Sequence, residues 1–324
     1  MKNLITLLLL SIGLSVNAQI ATNGTDNSGV DASAMGYQTT ASGDYSIAMG
    51  RLTTASGFNS AAMGYETTAS GGGSTAMGLF TTATGSVTTA IGYFTTASGG
   101  YSTAMGYITR ASGDYSTAMG YTTTASDYAS TVIGQFNSSG STATSATSFS
   151  TSAPAFVIGN GTGSGYRSDA FKVMFNGDAT VSNDLTVNGD VTVSSDARLK
   201  ANIVSLGATL SKLLNIDGKT YTVKKNGTQK IGVLAQDIQE VFPELVSEDN
   251  EGMLSVNYQG LIPVLINALK EQEEKIVKQQ TEITRLQAQE TKLLSQETKL
   301  IVQEKRIESQ EERLKALERI LSKE

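Results

Sequence analysis

Ser195 and Lys200 lie five residues apart in Ser194-Ser195-Asp196-Ala197-Arg198-Leu199-Lys200, and their types could perform covalent chemistry. A serine hydroxyl is a poor nucleophile until a neighbouring base takes its proton. A lysine can take it only if burial or nearby positive charge lowers its pKa from about 10.4 towards neutrality. The pair gains weight by exclusion. The chain has no cysteine and no histidine, which removes disulfides, thiolate nucleophiles, imidazole bases and ordinary zinc ligation. Carboxylate chemistry is the remaining class, but Asp237, Glu240, Glu244 and Glu248 read as a solvated helix face rather than an acid pair or metal site. No cofactor and no metal are expected.

The pair sits where the polypeptide changes character: 15 of the 195 residues up to Ser195 are charged, against 39 of the 129 from Asp196 onward. Ordered blocks follow it. They are Lys200-Ala201-Asn202-Ile203, Ile231-Gly232-Val233-Leu234-Ala235-Gln236-Asp237, Phe242-Pro243-Glu244-Leu245-Val246, and Val256-Asn257-Tyr258-Gln259-Gly260-Leu261-Ile262-Pro263-Val264-Leu265. With these blocks, the region from Ser195 to about Lys270 resembles the intramolecular chaperone auto-processing domain at the C-termini of phage endosialidases, tailspikes and tail fibres. The resemblance implies a domain that helps three chains assemble and then cuts itself off at the serine–aspartate bond with a serine–lysine dyad. Carried over position by position, Ser195 is the nucleophile, Lys200 the general base and Asp196 the first residue of the released piece. That activity is a single-turnover proteolysis in cis, without action on other substrates. The residues alone leave the attacked carbonyl open, since attack on the preceding one targets Ser194-Ser195 instead.

At the other end, Lys2 precedes an apolar run from Leu4 to Leu14, and Val16-Asn17-Ala18-Gln19 follows. This is the pattern of a secretory signal peptide spanning residues 1–18, too short in its apolar part to span a membrane as a helix. A secreted or surface location is expected, with no transmembrane anchor. The net charge of -6 argues against a nucleic-acid partner, which calls for a basic face.

From Asp31 the chain repeats every 14 residues: Met35, Met49, Met63, Met77, Ile91, Met105, Met119 and Ile133 each precede a glycine, giving eight units. A second Ala-x-Gly falls seven residues on, as in Ala41-Ser42-Gly43. Thr-Thr pairs and two glycines per unit exclude an amphipathic helix and favour two short strands and two tight turns. A fixed period of this size means a solenoid that buries columns of equivalent side chains. Met/Ile is expected to form one apolar column and Ala a narrow one, with Gly supplying positive φ in the turns. Eight coils would reach about 40 Å. The repeats, over about Asp31 to Gly140, are similar to the heads of YadA-like trimeric autotransporter adhesins, which implies a left-handed parallel β-roll and a homotrimer. Those adhesins end in a membrane β-barrel, and no such pattern is read here. Threonine ladders can bind ice, but adjacent threonines face opposite sides of a strand, so the pairs read as strand formers. The glycine-rich calcium nonapeptide is absent, and no repeat-bound calcium is expected.

Ser138 to Ser152 reads as a Ser/Thr-rich linker. Phe156–Asn160, Ala170–Phe175 and Thr180–Val193 read as strands of a β shaft, divided by turn signals at Asn160-Gly161, Asn176-Gly177-Asp178 and Asn188-Gly189-Asp190. Beyond the dyad, Val204–Leu214 is expected to be helical and Lys219–Lys225 with Gln229–Leu234 to form a hairpin around Asn226-Gly227. A helix Ala235–Val241 stopped by Pro243 and a strand at Gly252–Val256 follow. From Leu261 one long helix carries the seam Leu286, Leu293, Leu300, Ile307, Leu314 and Leu321, offset in phase from Ile276 and Ile283. Gln289, Gln296, Gln303 and Gln310 are placed at the alternate seam positions.

The expected organisation is a signal peptide (1–18), a β-roll head (19–140), a linker and β shaft (141–194), an α+β chaperone domain (195–270) and a trimeric coiled coil (271–324). The expected function is a secreted or surface homotrimeric fibre or adhesin that releases its own C-terminal domain. The head's surface or matrix ligand is not specified by its residues. A purely structural adhesin with an uncleaved C-terminus and a prophage tail fibre are the other readings.

Overall fold

A computed structural model of the chain describes residues 22–249 and 252–322, so the signal-peptide reading lies outside the described residues. The chain divides into two units, Met1–Val191 and Thr192–Glu324.

The first unit is built on a β-solenoid. Eight five-residue strands, from Ser33–Tyr37 to Thr131–Gln135, alternate with seven two-residue strands, from Thr40–Ala41 to Thr124–Ala125. Each long strand pairs in parallel with the next at the 14-residue repeat, so that Ala48 lies beside Ala62 and Met49 beside Met63. This makes about seven turns, bounded by two parallel sheets.

The interior differs from the sequence expectation. The Ala48-type and Ala41-type columns are fully buried from Ala41 to Ala125, continuing into Val132 and Val157. The methionine column is not inside: Met77, Met105 and Met119 are 37–40% exposed. Strand alternation explains it, because Ala76 and Met77 are consecutive and cannot face the same side. Thr39, Thr53 and their equivalents are buried, and the second threonine of each pair is half-exposed.

The turns differ too. Their left-handed positions are held by Leu52 (φ 57), Glu66 (φ 50), Tyr101 (φ 57) and equivalents rather than mainly by glycine. Each such residue costs about 1 kcal/mol. The amides stay paired: Leu52 N–H donates to Tyr37 C=O at 2.9 Å, and Glu66 N–H to Arg51 C=O at 2.9 Å. Glycine serves close stacking instead. At Gly64 (φ 127), a Cβ would lie 1.9 Å from the Gly78 carbonyl oxygen of the next coil.

The solenoid ends on two polar side chains. Asn137 takes the place where the next buried threonine would fall. Its Oδ1 accepts from Thr124 N–H and its Nδ2 donates to Thr124 C=O, both at 2.8 Å, so the amide imitates a further coil. Asp127, where earlier units have glycine, accepts from Thr144 N–H (2.5 Å) and Ser145 N–H (2.8 Å) through Oδ1. The 138–152 stretch is therefore tied to the last coil and is not a free linker. Pro154–Asn160 then rejoins the long-strand sheet in parallel, with Asp169–Met174 and Ala179–Val181 added antiparallel. The shaft strand expected over Thr180–Val193 stops at Val181. Leu185, Val187, Val191 and Val193 are 46–71% exposed, so their alternating apolar face is left uncovered by the described residues.

In the second unit the hairpin Lys219–Thr222/Gln229–Gly232 and the helix Ala235–Val241 form as expected, with Pro243 opening a 3₁₀ turn. Val246–Glu248 pairs with Leu254–Val256. Only Leu210–Leu213 of the expected Val204–Leu214 helix is helical. Ile238, Phe242 and Val264 form the core, surrounded by Leu213, Val233, Leu245 and Val256 among others. A 61-residue helix, Leu261–Leu321, tolerates Pro263 because it lies in the first turn, and it leaves Leu286, Leu293, Leu300, Ile307, Leu314 and Leu321 exposed.

Candidate active site

Ser195 and Lys200 are positioned by one short turn. Asp196 caps the 3₁₀ segment Ala197–Leu199: its Oδ1 accepts from Arg198 N–H at 2.8 Å, and Lys200 N–H closes the turn on Ala197 C=O at 3.1 Å. A 3₁₀ turn advances about 2 Å per residue. That keeps Lys200 near enough to fold back on the residue preceding the cap. Lys200 Nζ donates to Ser195 Oγ at 2.7 Å, so the two residues singled out by type and spacing are in direct contact.

Arg198, to which the sequence reading gave no role, secures the junction. Its Nε and Nη2 reach the two carboxylate oxygens of Asp196 at 3.1 and 2.8 Å. Those side-chain bonds, then the Arg198 amide, hold the Asp196 carboxyl below the usual carboxylate range. The signal was available in sequence as an aspartate two positions before an arginine, at a cap. Asp237, read as part of a solvated face, has its Oδ2 4.0 Å from Lys219 Nζ, which is held more closely by Asp217 at 2.7 Å.

Ser195 and Lys200 are exposed in the single chain. Leu199, Ile203, Val204 and Leu206 beside them are 51–84% exposed, so the apolar surface next to the pair is not covered by the described residues. The following segment is anchored at Thr209. Its buried hydroxyl donates to Val264 C=O at 3.0 Å, while Glu271 accepts from the Thr209 and Leu210 amides. Those amides, Thr209 first, draw the Glu271 carboxyl below its ordinary range. This clamp between residues 62 apart in sequence was not legible beforehand. No helix among the described residues is long and apolar enough to cross a membrane.

Comparison with known proteins agrees with this division. Over 84 residues the chain is 36% identical to the long tail fiber protein Gp37 of Escherichia phage AR1. That stretch is 23% of this chain and 8% of the phage protein, so the chain spans a small part of that relative. Residues 28–53, 55–81, 83–107 and 111–137 match the YadA head domain repeat. Residues 195–247 match the peptidase family described as chaperone of endosialidase. The chain thus joins YadA-type head repeats to a chaperone-of-endosialidase segment whose match opens on Ser195.

Proposed function

We propose that the chain is an exported, homotrimeric fibre or adhesin whose C-terminal segment gathers three copies and then cuts itself off at Ser195-Asp196, once per chain. The observation that carries this is the 2.7 Å contact from Lys200 Nζ to Ser195 Oγ, at the start of the segment matching a peptidase family. A neutral Lys200 amine would accept the hydroxyl proton along the same line, Ser195 Oγ would add to the carbonyl, the amine of the released piece would leave with that proton, and water would then hydrolyse the ester, freeing the hydroxyl and a new carboxyl terminus. Desolvation by neighbouring copies, covering Leu199, Ile203 and Val204, would make the lysine a competent base, so that cleavage reports assembly. The exposed seam from Leu286 to Leu321 supports a coiled coil as the gathering element. The head is read as a left-handed β-roll that presents a ligand-binding surface.

Ring size bears on the scissile bond. A serine attacking its own carbonyl would close a strained four-membered ring, so a cut after Ser195 by a Ser195 hydroxyl calls for groups from different copies. Attack on the Ser194 carbonyl, through a five-membered ring, is open within one chain.

The intact mass of full-length protein expressed beside Ser195→Ala tests the proposal. The expected result is two fragments for the parent, with the released piece beginning at Asp196, and one full-length species for the variant. A full-length parent under assembling conditions would overturn it, and a released piece beginning at Ser195 would move the cut by one bond. The solvent exposure of the dyad favours a second reading, in which the domain stays attached as a trimeriser, and the same masses decide between them. The match to a phage long tail fibre favours a tail-fibre role. An unprocessed N-terminus in secreting cells would favour that role over an exported adhesin.

A further inference from the structure

The solenoid interior contains a polar column that the proposed function does not use. Thr39, Thr53, Thr67, Thr81, Thr95, Thr109 and Thr123 are fully buried or within 1% of it, and the Oγ1 of every one lacks a hydrogen-bond partner among the described residues. Buried hydroxyls are ordinarily paired, and among the ten unpaired ones these seven recur in strict phase, which scattered defects would not do. Their own carbonyls already accept from amides of the adjoining coil, as in Thr54 N–H to Thr67 C=O and Thr68 N–H to Thr81 C=O, both 2.8 Å. The serine-type column is mixed: the hydroxyls of Ser46, Ser60 and Ser74 are unpaired as well, whereas the later members find backbone acceptors. Thr88 and Ser130 donate to the carbonyls of Gly85 and Asp127 at 2.8 Å, and Ser102 and Ser116 reach alanine carbonyls at 3.3 Å.

Consecutive coils are spaced as neighbouring strands, about 4.8 Å apart. A direct bond between hydroxyls needs about 2.5–3.0 Å, so threonines of successive coils cannot pair with each other. Two bonds of about 2.8 Å meeting at a bent, near-tetrahedral oxygen do span that gap. From Thr39 to Thr123 the flanking buried side chains are the small ones of alanine, serine and threonine. We infer that the interior of the head holds a file of water molecules, one between each successive pair of hydroxyls from Thr39 to Thr123. Each water donates to one threonine and accepts from the next, and the column closes at Asn137, whose amide replaces the next threonine. This gives the buried threonines a task that valine, of nearly the same shape, could not perform.

Oxygen-17 magnetic relaxation dispersion on the full-length protein, which counts long-lived internal waters, tests the file directly. The expected count is about six per chain, one for each gap in the column, falling in the variants Thr67→Val and Thr81→Val. Their thermal unfolding midpoints should also fall, because each valine removes a link on both sides. Absence of long-lived waters in the parent protein overturns the inference even if the variants fail to fold. So does a valine variant that melts at the same or a higher temperature, the result expected when an unsatisfied hydroxyl is replaced by a methyl group.

Discussion

Lys200 Nζ lies 2.7 Å from Ser195 Oγ, held there by a 3₁₀ turn that Asp196 caps and Arg198 braces. The contact is made inside one chain. In the proposed mechanism assembly would still have to cover the apolar neighbours and, for a cut after Ser195, bring another copy's carbonyl to the hydroxyl. Lys200→Arg separates charge from base function, because a guanidinium can still donate to Ser195 but does not give up its proton. Self-cleavage followed by gel densitometry should slow by about 10²-fold or more in Lys200→Arg and Lys200→Ala alike, the usual scale for losing a general base. Light scattering should find the same oligomer in both variants. A Lys200→Arg protein that cleaves at the parent rate would remove Lys200 from the role of base.

Gly64→Ala should destabilise the solenoid. A Cβ there would sit 1.9 Å from the next coil's carbonyl oxygen, on a backbone already at φ 127. Overpacking of this kind costs about 1–3 kcal/mol, and the strained φ adds to it. Gly165→Ala is the control, since nothing lies within 4 Å of its added carbon. Denaturant unfolding followed by circular dichroism should show a lower midpoint for the first variant and an unchanged one for the second.

Glu271 should make the second unit sensitive to acid. Its carboxyl is drawn below the ordinary range by the Thr209 and Leu210 amides, so the folded state binds the proton less readily than the unfolded one. The stabilisation is then fully present above the ordinary glutamate range and is lost as pH falls through the lower folded value. Thermal melts across the acid range should show this loss in the parent. Glu271→Gln, which keeps an acceptor and cannot titrate, should show a shallower dependence, and equal slopes would place the acid sensitivity elsewhere.

Much of the solenoid was legible because a repeat forces equivalent residues into equivalent places. The spacing of Ala48, Ala62 and Ala76 fixes the coil length before any coordinate is known. What the period leaves open is which column faces inward. Met49 outranks Ala48 in hydrophobicity, yet the phase of strand pairing put alanine inside.

The amino-acid sequence by itself determined the 14-residue coil, the hairpin at Asn226-Gly227 and the long C-terminal helix, because each rests on local spacing and turn chemistry, while Ser195 and Lys200 were singled out by the resemblance of the blocks that follow them. Tertiary structure alone decided where the solenoid stops, how the dyad touches and what anchors the segment after it. Asp127 meets Thr144, Asn137 meets Thr124, and Glu271 meets Thr209, all contacts between residues well separated along the chain. Such pairings depend on where the folded backbone brings distant amides and carboxylates together, and neither periodicity nor propensity encodes that position.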